Sequence, residues 1–279
     1  MTQLPNFLII GAPKAGSTSL WNELRQHPDI FLTSLKEPNF FCSNSANYQN
    51  WSWYTSLFKD GVGKPAIGEA SVAYSLVERN PTTPALIAQH LPHIRLIYIV
   101  RHPLRRIESA WLHHICMRNP VPKDFSRAVR EFRSLIEGTL YSRNLEEYRR
   151  YFPDEQILVL FLEDFQADSR RVLERCDRFL GVNPDGRVSC AATPQNVSAQ
   201  RYIESELLRK LRRLPGADLV GQFTPTSLKH WLQKTGTPLP PRPQWDASTR
   251  QWTLEQVGAN AQSILAYAGK PPNFWDLDR

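Results

Sequence analysis

The segment that most constrains this chain is Phe7-Leu-Ile-Ile-Gly11-Ala-Pro-Lys14-Ala-Gly16-Ser17-Thr18-Ser19-Leu20. Asn6–Ile10 reads as a short buried strand that ends at Gly11. Leu20, Trp21 and Leu24 then recur at helical spacing over Ser17–His27, and Pro28 is the stop signal. A strand, a glycine loop and a helix in that order aim backbone N–H groups at an anion, and the helix N-terminus adds the positive end of its dipole. Lys14 contributes a full charge, and Ser17, Thr18 and Ser19 contribute hydroxyl donors. The glycine spacing matches the Walker A pattern GxxxxGK[ST], but Ser17 stands where that pattern has lysine. A triphosphate would lose its charge partner there. The loop therefore suits a smaller anion, such as a monophosphate joined to a less charged group.

The rest of the chain continues the alternation. Ile94–Val100 reads as a second buried strand, followed by helical spacing from Leu104 through Ile107, Trp111 and Ile115. A helix around Leu140–Tyr151 leads to the strand Ile157–Phe161. Asp168–Leu180 reads as a helix with Gly181 just past its end, and Leu254–Ala268 as the last helix. Trp51-Ser-Trp53-Tyr54 with Phe58 reads as a helical packing stripe. Strands alternating with helices predict an α/β fold, a P-loop-like central parallel sheet with helices on both faces in a single domain. Within 1–279 the expected division is a nucleotide-binding core over 6–182 and an irregular and helical part over 183–279 that shapes an acceptor cleft. No internal repeat or long linker interrupts it.

Composition narrows the classes further. A chain of 279 residues with 41% hydrophobic residues can bury a core without a disulfide or metal staple. The four cysteines, at 42, 116, 176 and 190, share no metal-ligand spacing, so free thiols in a reducing cytoplasm are expected. No apolar run reaches the roughly 18 residues of a membrane span, and the opening lacks the pattern of a secretory leader. The net charge of +7 points to anionic ligands without choosing among them.

The glycine loop resembles the 5′-phosphosulfate-binding loop of sulfotransferases that use 3′-phosphoadenosine 5′-phosphosulfate (PAPS). Four further segments agree in order and spacing. Leu-Arg-Gln-His-Pro-Asp from Leu24, followed by Lys36-Glu37-Pro38-Asn39-Phe40-Phe41, is similar to the stretch bearing the catalytic carboxylate in heparan-sulfate-type enzymes. Gly68-Glu69-Ala70-Ser71-Val72-Ala73-Tyr74 looks like their next strand. Tyr98-Ile-Val-Arg101-His-Pro-Leu-Arg-Arg106-Ile-Glu-Ser109 looks like their 3′-phosphate strand and helix. Phe152–Leu160 with Glu163-Asp164 looks like a later core strand. The likeness covers about residues 6–182, with Asn196-Val-Ser and the final helix up to Trp275 similar as well.

The resemblance implies PAPS as co-substrate, the corresponding bisphosphate PAP as product, and no metal. It implies nucleotide contacts from Lys14, Ala15, Gly16, Ser17, Thr18, Ser19, Arg101 and Ser109, and catalysis by Lys14 and Glu37. Residue chemistry supports part of this directly. Arg101 closes an apolar strand, where open α/β sheets bind ligands, and its guanidinium can hold phosphate oxygens in a fork. Arg105 and Arg106 read instead as a solvated or acceptor-facing basic patch. His113 and His114 read as helix-surface residues. By resemblance Glu37 is the general base for an acceptor hydroxyl or amine, and Pro38 keeps it out of helical geometry.

Two departures from the pattern stand out. The 3-O-type enzymes carry a catalytic lysine where this chain has Ala70, and Lys36 is the nearest substitute. Their basic C-terminal loop is matched only weakly, by Lys234-Thr235-Gly236. The acceptor is left open among glycan, lipid, small alcohol and carrier-tethered acyl group. Two rivals stand beside this reading. One is a P-loop nucleotide kinase, which the serine at 17 disfavours. The other is a basic nucleotide- or nucleic-acid-binding protein, which the dispersed basic residues, Arg209–Arg213 included, disfavour.

Overall fold

Five short segments rich in branched aliphatic residues pair side by side: β1 (Phe7–Gly11), β2 (Ile30–Leu32), β3 (Ala66–Ala70), β4 (Arg95–Val100) and β5 (Ile157–Phe161). Their order is β2-β3-β1-β4-β5, and every pairing is parallel. Parallel neighbours need crossovers, and these carry helices over both faces. The computed structural model describes residues 4–187 and 241–277, with the backbone of 202–203 and 237–238. The expectations resting on Cys190 and on 196–198, 209–213 and 234–236 lie outside the described residues.

Side-chain alternation divides the core in two. Phe7, Ile9, Ala66, Ala70, Ile97, Ile99 and Leu160 face α1 (Ser17–Leu24) and, past β5, a later helix over Ser169–Leu180. Leu8, Ile10, Ile67, Leu96, Tyr98 and Val100 face the opposite layer. That layer holds α2 (Trp51–Ser56) and α3 (Thr83–His90). Beyond β4 come α4 (Pro103–Cys116), α5 (Phe125–Glu131), α6 (Ser134–Glu137) and α7 (Tyr141–Arg149). After β5 follow α8 (Leu162–Ala167), α9 (Ser169–Leu180) and α10 (Ala247–Tyr267). The α/β class, the parallel sheet and the two helical layers are those expected from the alternation. Among the described residues no helix is long and apolar enough to cross a membrane.

Several boundaries differ from the periodicity. The first helix ends at Leu24 rather than His27. His27 is buried in the turn, where its Nδ1 accepts from the Asp29 N–H and its Nε2 meets the Asn183 carbonyl oxygen at 2.9 Å. Tertiary hydrogen bonds override helix continuation there. The last helix starts at Ala247, seven residues before the predicted Leu254, because Asp246 caps it by accepting from the Thr249 N–H. The Trp51–Phe58 stripe packs as predicted: Tyr54 stacks on Phe40 at 4.3 Å and meets Phe58 edge-on.

The tail after α10 returns to the sheet. Trp275 is buried against Phe161 and Tyr141, and its Nε1 donates to Glu163 Oε2 at 3.1 Å. Removing a ring of this size from a packed core costs about 3–5 kcal/mol. Trp275→Ala is expected to lose that much stability in urea denaturation. A loss below about 1 kcal/mol would show that the tail is peripheral to the core.

Candidate active site

In the order β2-β3-β1-β4-β5 the chain passes from β1 to the edge strand β2, returns inward to β3, and then crosses to the other side of β1 at β4. Open sheets leave a crevice at such a reversal, at the carboxyl ends of the strands. The ends of β3, β1 and β4 lie side by side there, with Ala70 opposite Ile9 and Tyr98 opposite Gly11. Three of the predicted segments therefore meet at one edge: the glycine loop, Arg101 and, through β3, the Glu37 turn.

The glycine loop is shaped by close packing. Gly16 has φ +95°, and a Cβ on it would come within 2.6 Å of Leu162. Gly16 caps α1 without a side chain, and no acidic residue occupies the first turn. The N–H groups of Ser17, Thr18 and Ser19 thus begin a helix whose positive end is not neutralised from within. Lys14, at φ +69°, sits at the bend of the loop.

Arg106 corrects the sequence reading. It is not part of a solvated patch: only 3% of it is exposed. Its Nε donates to the Pro13 carbonyl oxygen at 3.1 Å, inside the glycine loop. Its Nη1 donates to the carbonyl oxygens of Leu135 (2.9 Å) and Ser134, and to Thr139 Oγ1. The guanidinium fits because position 138 is glycine; a Cβ there would lie 2.2 Å from Nη2. Arg106 therefore ties the loop to the turn between α6 and α7. Helical spacing carries the signal, since Arg106 falls beside Pro103 and Ala110 on the buried face of α4. Arg105 is half exposed and pairs with Glu108, in keeping with the surface reading.

Arg101 follows β4 and is largely buried. Burial pulls its pKa down, opposed by the nearby Tyr141, Glu163 and Glu108. Among the described residues its guanidinium donates to the Lys14 carbonyl oxygen, 3.4 Å away, and pairs with no carboxylate. A desolvated cation aimed at an anion-binding loop matches a phosphate in chemistry and charge. Its backbone is held from both sides: Tyr141 Oη donates to the Arg101 carbonyl oxygen at 2.8 Å, and Glu163 Oε1 accepts from the His102 N–H at 2.8 Å. Ser109 is half-buried on α4, fewer than two turns from its first residue. Glu108 is buried and accepts from Trp245 Nε1 at 3.0 Å, which draws residues 242–245 onto this helix; Arg242 pairs with it as well. His114 is engaged with Asn119 at 2.8 Å and lies edge-on to Phe132.

Glu37 is displayed on a turn at the end of β3. Its N–H donates to the Ala70 carbonyl oxygen at 2.9 Å, and the Asn39 N–H donates to Ser71 Oγ at 3.0 Å. Pro38 was expected to keep Glu37 out of helical geometry, and φ is +61° at Glu37 and +51° at Asn39. The bonds to the Ala70 carbonyl oxygen and the Ser71 hydroxyl hold this turn, against a cost of roughly 1–2 kcal/mol per residue. Lys36 Nζ lies 2.6 Å from Glu37 Oε1, and the Glu37 side chain is about one-third exposed.

One functional candidate escaped the sequence reading. Glu69, the last residue but one of β3, is 0% exposed. Its Oε2 accepts from Ser71 Oγ at 2.8 Å, while its Oε1 has no partner among the described residues. Burial pushes its pKa up to about 7, against the nearby Tyr74 and Ser71 hydroxyls. A lone charged residue inside an otherwise apolar five-residue strand is the signal that marks it. Among the described residues no group of three or more His, Cys, Asp or Glu side chains is placed to hold a metal.

Known proteins resemble this chain in sequence and in fold. A family model described as "Sulfotransferase domain" matches residues 4–210. The human bifunctional heparan sulfate N-deacetylase/N-sulfotransferase 3 is 30% identical over 212 residues, which are 68% of this chain and 24% of the relative. The mouse heparan sulfate glucosamine 3-O-sulfotransferase 3B1 is 29% identical over 188 residues, 64% of this chain and 47% of the relative. The chain thus spans less than half the length of these curated relatives. The crystal structure of a sulfotransferase from Alicyclobacillus acidocaldarius superposes with a TM-score of 0.68 at 21% identity, over 99% of this chain and 100% of that one. At that identity the likeness establishes the shared fold.

The packing around Arg106 is testable without any ligand. Gly138→Ala forces the guanidinium out of place and is expected to destabilise the protein by about 1–3 kcal/mol in chemical denaturation. Wild-type stability in that variant would remove Arg106 from the support of the loop.

Proposed function

The chain belongs to the sulfotransferase domain family, and from that premise we propose that it transfers the sulfuryl group of PAPS to a hydroxyl or amine of a carbohydrate acceptor. The observation that carries this reading is the convergence of Lys14, Arg101 and Glu37 at the carboxyl ends of β1, β4 and β3. The carbohydrate class follows from the heparan sulfate relatives.

PAPS, when bound, supplies an activated sulfuryl group joined to a phosphate that departs with negative charge. The chain has two cationic stations for such a molecule. Lys14, Ala15, Gly16, Ser17, Thr18 and Ser19 receive the 5′ end through loop and helix N–H groups, hydroxyls and one ammonium. Arg101 and Ser109 receive the 3′-phosphate. No acidic residue lies in the first turn of α1 or of α4, and Glu108, further along α4, is already engaged by Trp245, Arg105 and Arg242. Lys14 stabilises charge that develops on the leaving phosphate, an effect that grows where water is excluded. The Glu37 carboxylate takes the proton that the acceptor gives up. Lys36 places the missing cation beside Glu37, the role that Ala70 cannot fill. The side chain at 70 is wholly buried, and its carbonyl oxygen already holds the Glu37 N–H.

The nucleotide half of this reading is tested by thermal shift with PAP, ADP and ATP. PAP is expected to stabilise the protein without Mg²⁺ and to do so more than the other two. Arg101→Ala is expected to weaken PAP at least tenfold, about 1.4 kcal/mol. Preference for ATP with Mg²⁺ would overturn the assignment in favour of a kinase. The catalytic half is tested by transfer from labelled PAPS to partly de-N-sulfated heparan sulfate, which offers both hydroxyls and amines. Glu37→Gln is expected to keep the PAP-induced shift and lose transfer by about 10²–10⁴-fold. Full activity would remove Glu37 from the mechanism.

A further inference from the structure

A chain of three hydrogen-bonding groups runs from the interior to the turn that displays Glu37. The Asn39 N–H donates to Ser71 Oγ at 3.0 Å, and Ser71 Oγ–H donates to Glu69 Oε2 at 2.8 Å. The parallel bond from the Glu37 N–H to the Ala70 carbonyl oxygen completes the attachment. Glu69 is thus the buried anchor of one of the two bonds that hold the Glu37–Asn39 backbone at positive φ. We propose that Glu69 is a positioning residue for sulfuryl transfer, acting through Ser71 and Asn39 to fix the Glu37 carboxylate at the edge of the site. This rests on the reading of Glu37 as the base.

The surroundings of Glu69 favour its un-ionised form. It is wholly buried, and Tyr54 of α2, Tyr74, Cys42 and Tyr148 of α7 lie near enough to feel its charge, as do Glu37 and Lys36 on the turn. Two buried oxygens there, Glu69 Oε1 and Tyr54 Oη, have no hydrogen-bond partner among the described residues, so no charge-stabilising bond reaches Oε1. Burial pushes the Glu69 pKa up to about 7, and the neighbouring Glu37 charge pushes in the same direction. Held neutral, Glu69 leaves the negative charge of the pair on Glu37, where a base is needed.

The sign of the pH dependence follows. An unfolded glutamate ionises near pH 4.3, whereas Glu69 in the folded protein stays protonated to about 7. Its contribution to stability is therefore full below pH 4, falls as the pH rises through that window, and levels off above the folded value. Glu69→Gln keeps an acceptor for Ser71 and cannot ionise. Its melting temperature relative to wild type is expected to rise between pH 5 and pH 8. A difference that stays constant with pH would overturn the un-ionised assignment. This readout needs neither PAPS nor an acceptor.

Positioning is read from transfer of labelled PAPS to partly de-N-sulfated heparan sulfate. Glu69→Leu and Ser71→Ala each cut the chain and are expected to lower kcat at least tenfold. The PAP-induced thermal shift and the KM for PAPS should stay within twofold of wild type. Glu69→Gln is expected to restore most of the rate. Ser71→Ala decides the matter if Glu69→Leu fails to fold. Wild-type kcat in Ser71→Ala overturns the proposal, as does a parallel loss of PAP binding and kcat, which would signal a general structural role. Glu37→Gln in the same assay separates the two readings. If it is fully active, the base assignment fails and this proposal with it. If it is inactive while Ser71→Ala is unimpaired, this proposal alone fails.

Discussion

Everything in the site depends on the parallel alignment of β3, β1 and β4 around a strand that begins at Phe7. Parallel strands end at the same edge, so three segments far apart in the chain are delivered to one crevice without long loops to carry them. β1 lies in the middle, paired with β3 on one side and β4 on the other. Its fully buried residues, Phe7 to Ile10, put two side chains into each core layer. The glycine loop inherits its place from that strand.

Charge in the crevice follows a consistent division of labour. The cations are desolvated and held by neutral groups: Arg106 by carbonyl oxygens and a threonine hydroxyl, Arg101 by the Lys14 carbonyl oxygen. Buried positive charge that pairs with no carboxylate among the described residues is compensated when an anion binds. The carboxylates nearby are assigned elsewhere. Glu163 holds a backbone N–H and a tryptophan, Glu108 gathers Trp245, Arg105 and Arg242, and Glu69 is interior. Glu37 is the one that faces outward on the turn, with an ammonium beside it.

The elements with strong local signals were legible in the sequence. The strands at Ile157–Phe161 and Arg95–Val100 and the α9 helix, with an aspartate before it and Gly181 after it, agree with the structure closely. The short strand Ile30–Leu32 was not legible, because three residues have no period of their own and become a strand only by pairing with β3. The helices over 83–90, 125–131 and 134–137 were missed for a similar reason: each is short and stabilised by packing. At the site, the loop residues and Arg101 were legible because glycine and strand-end arginine carry their geometry locally. Arg106 and Glu69 were not, because a charged residue reads as exposed until its partners are known. Those partners, Pro13 and Leu135 for one and Ser71 for the other, come from elsewhere in the fold.

The return of Trp275 to the end of β5 has a bearing on biosynthesis. The backbone that carries Arg101 is secured through Glu163, and Glu163 is also the acceptor for the Trp275 indole. A nascent chain presents all five strands of the sheet once residue 161 is available, yet the indole that engages Glu163 lies more than a hundred residues further on. During that interval the apolar surface over Phe161 and Tyr141 faces water. Covering that surface waits on Trp275, and apolar surface left exposed in the meantime favours aggregation.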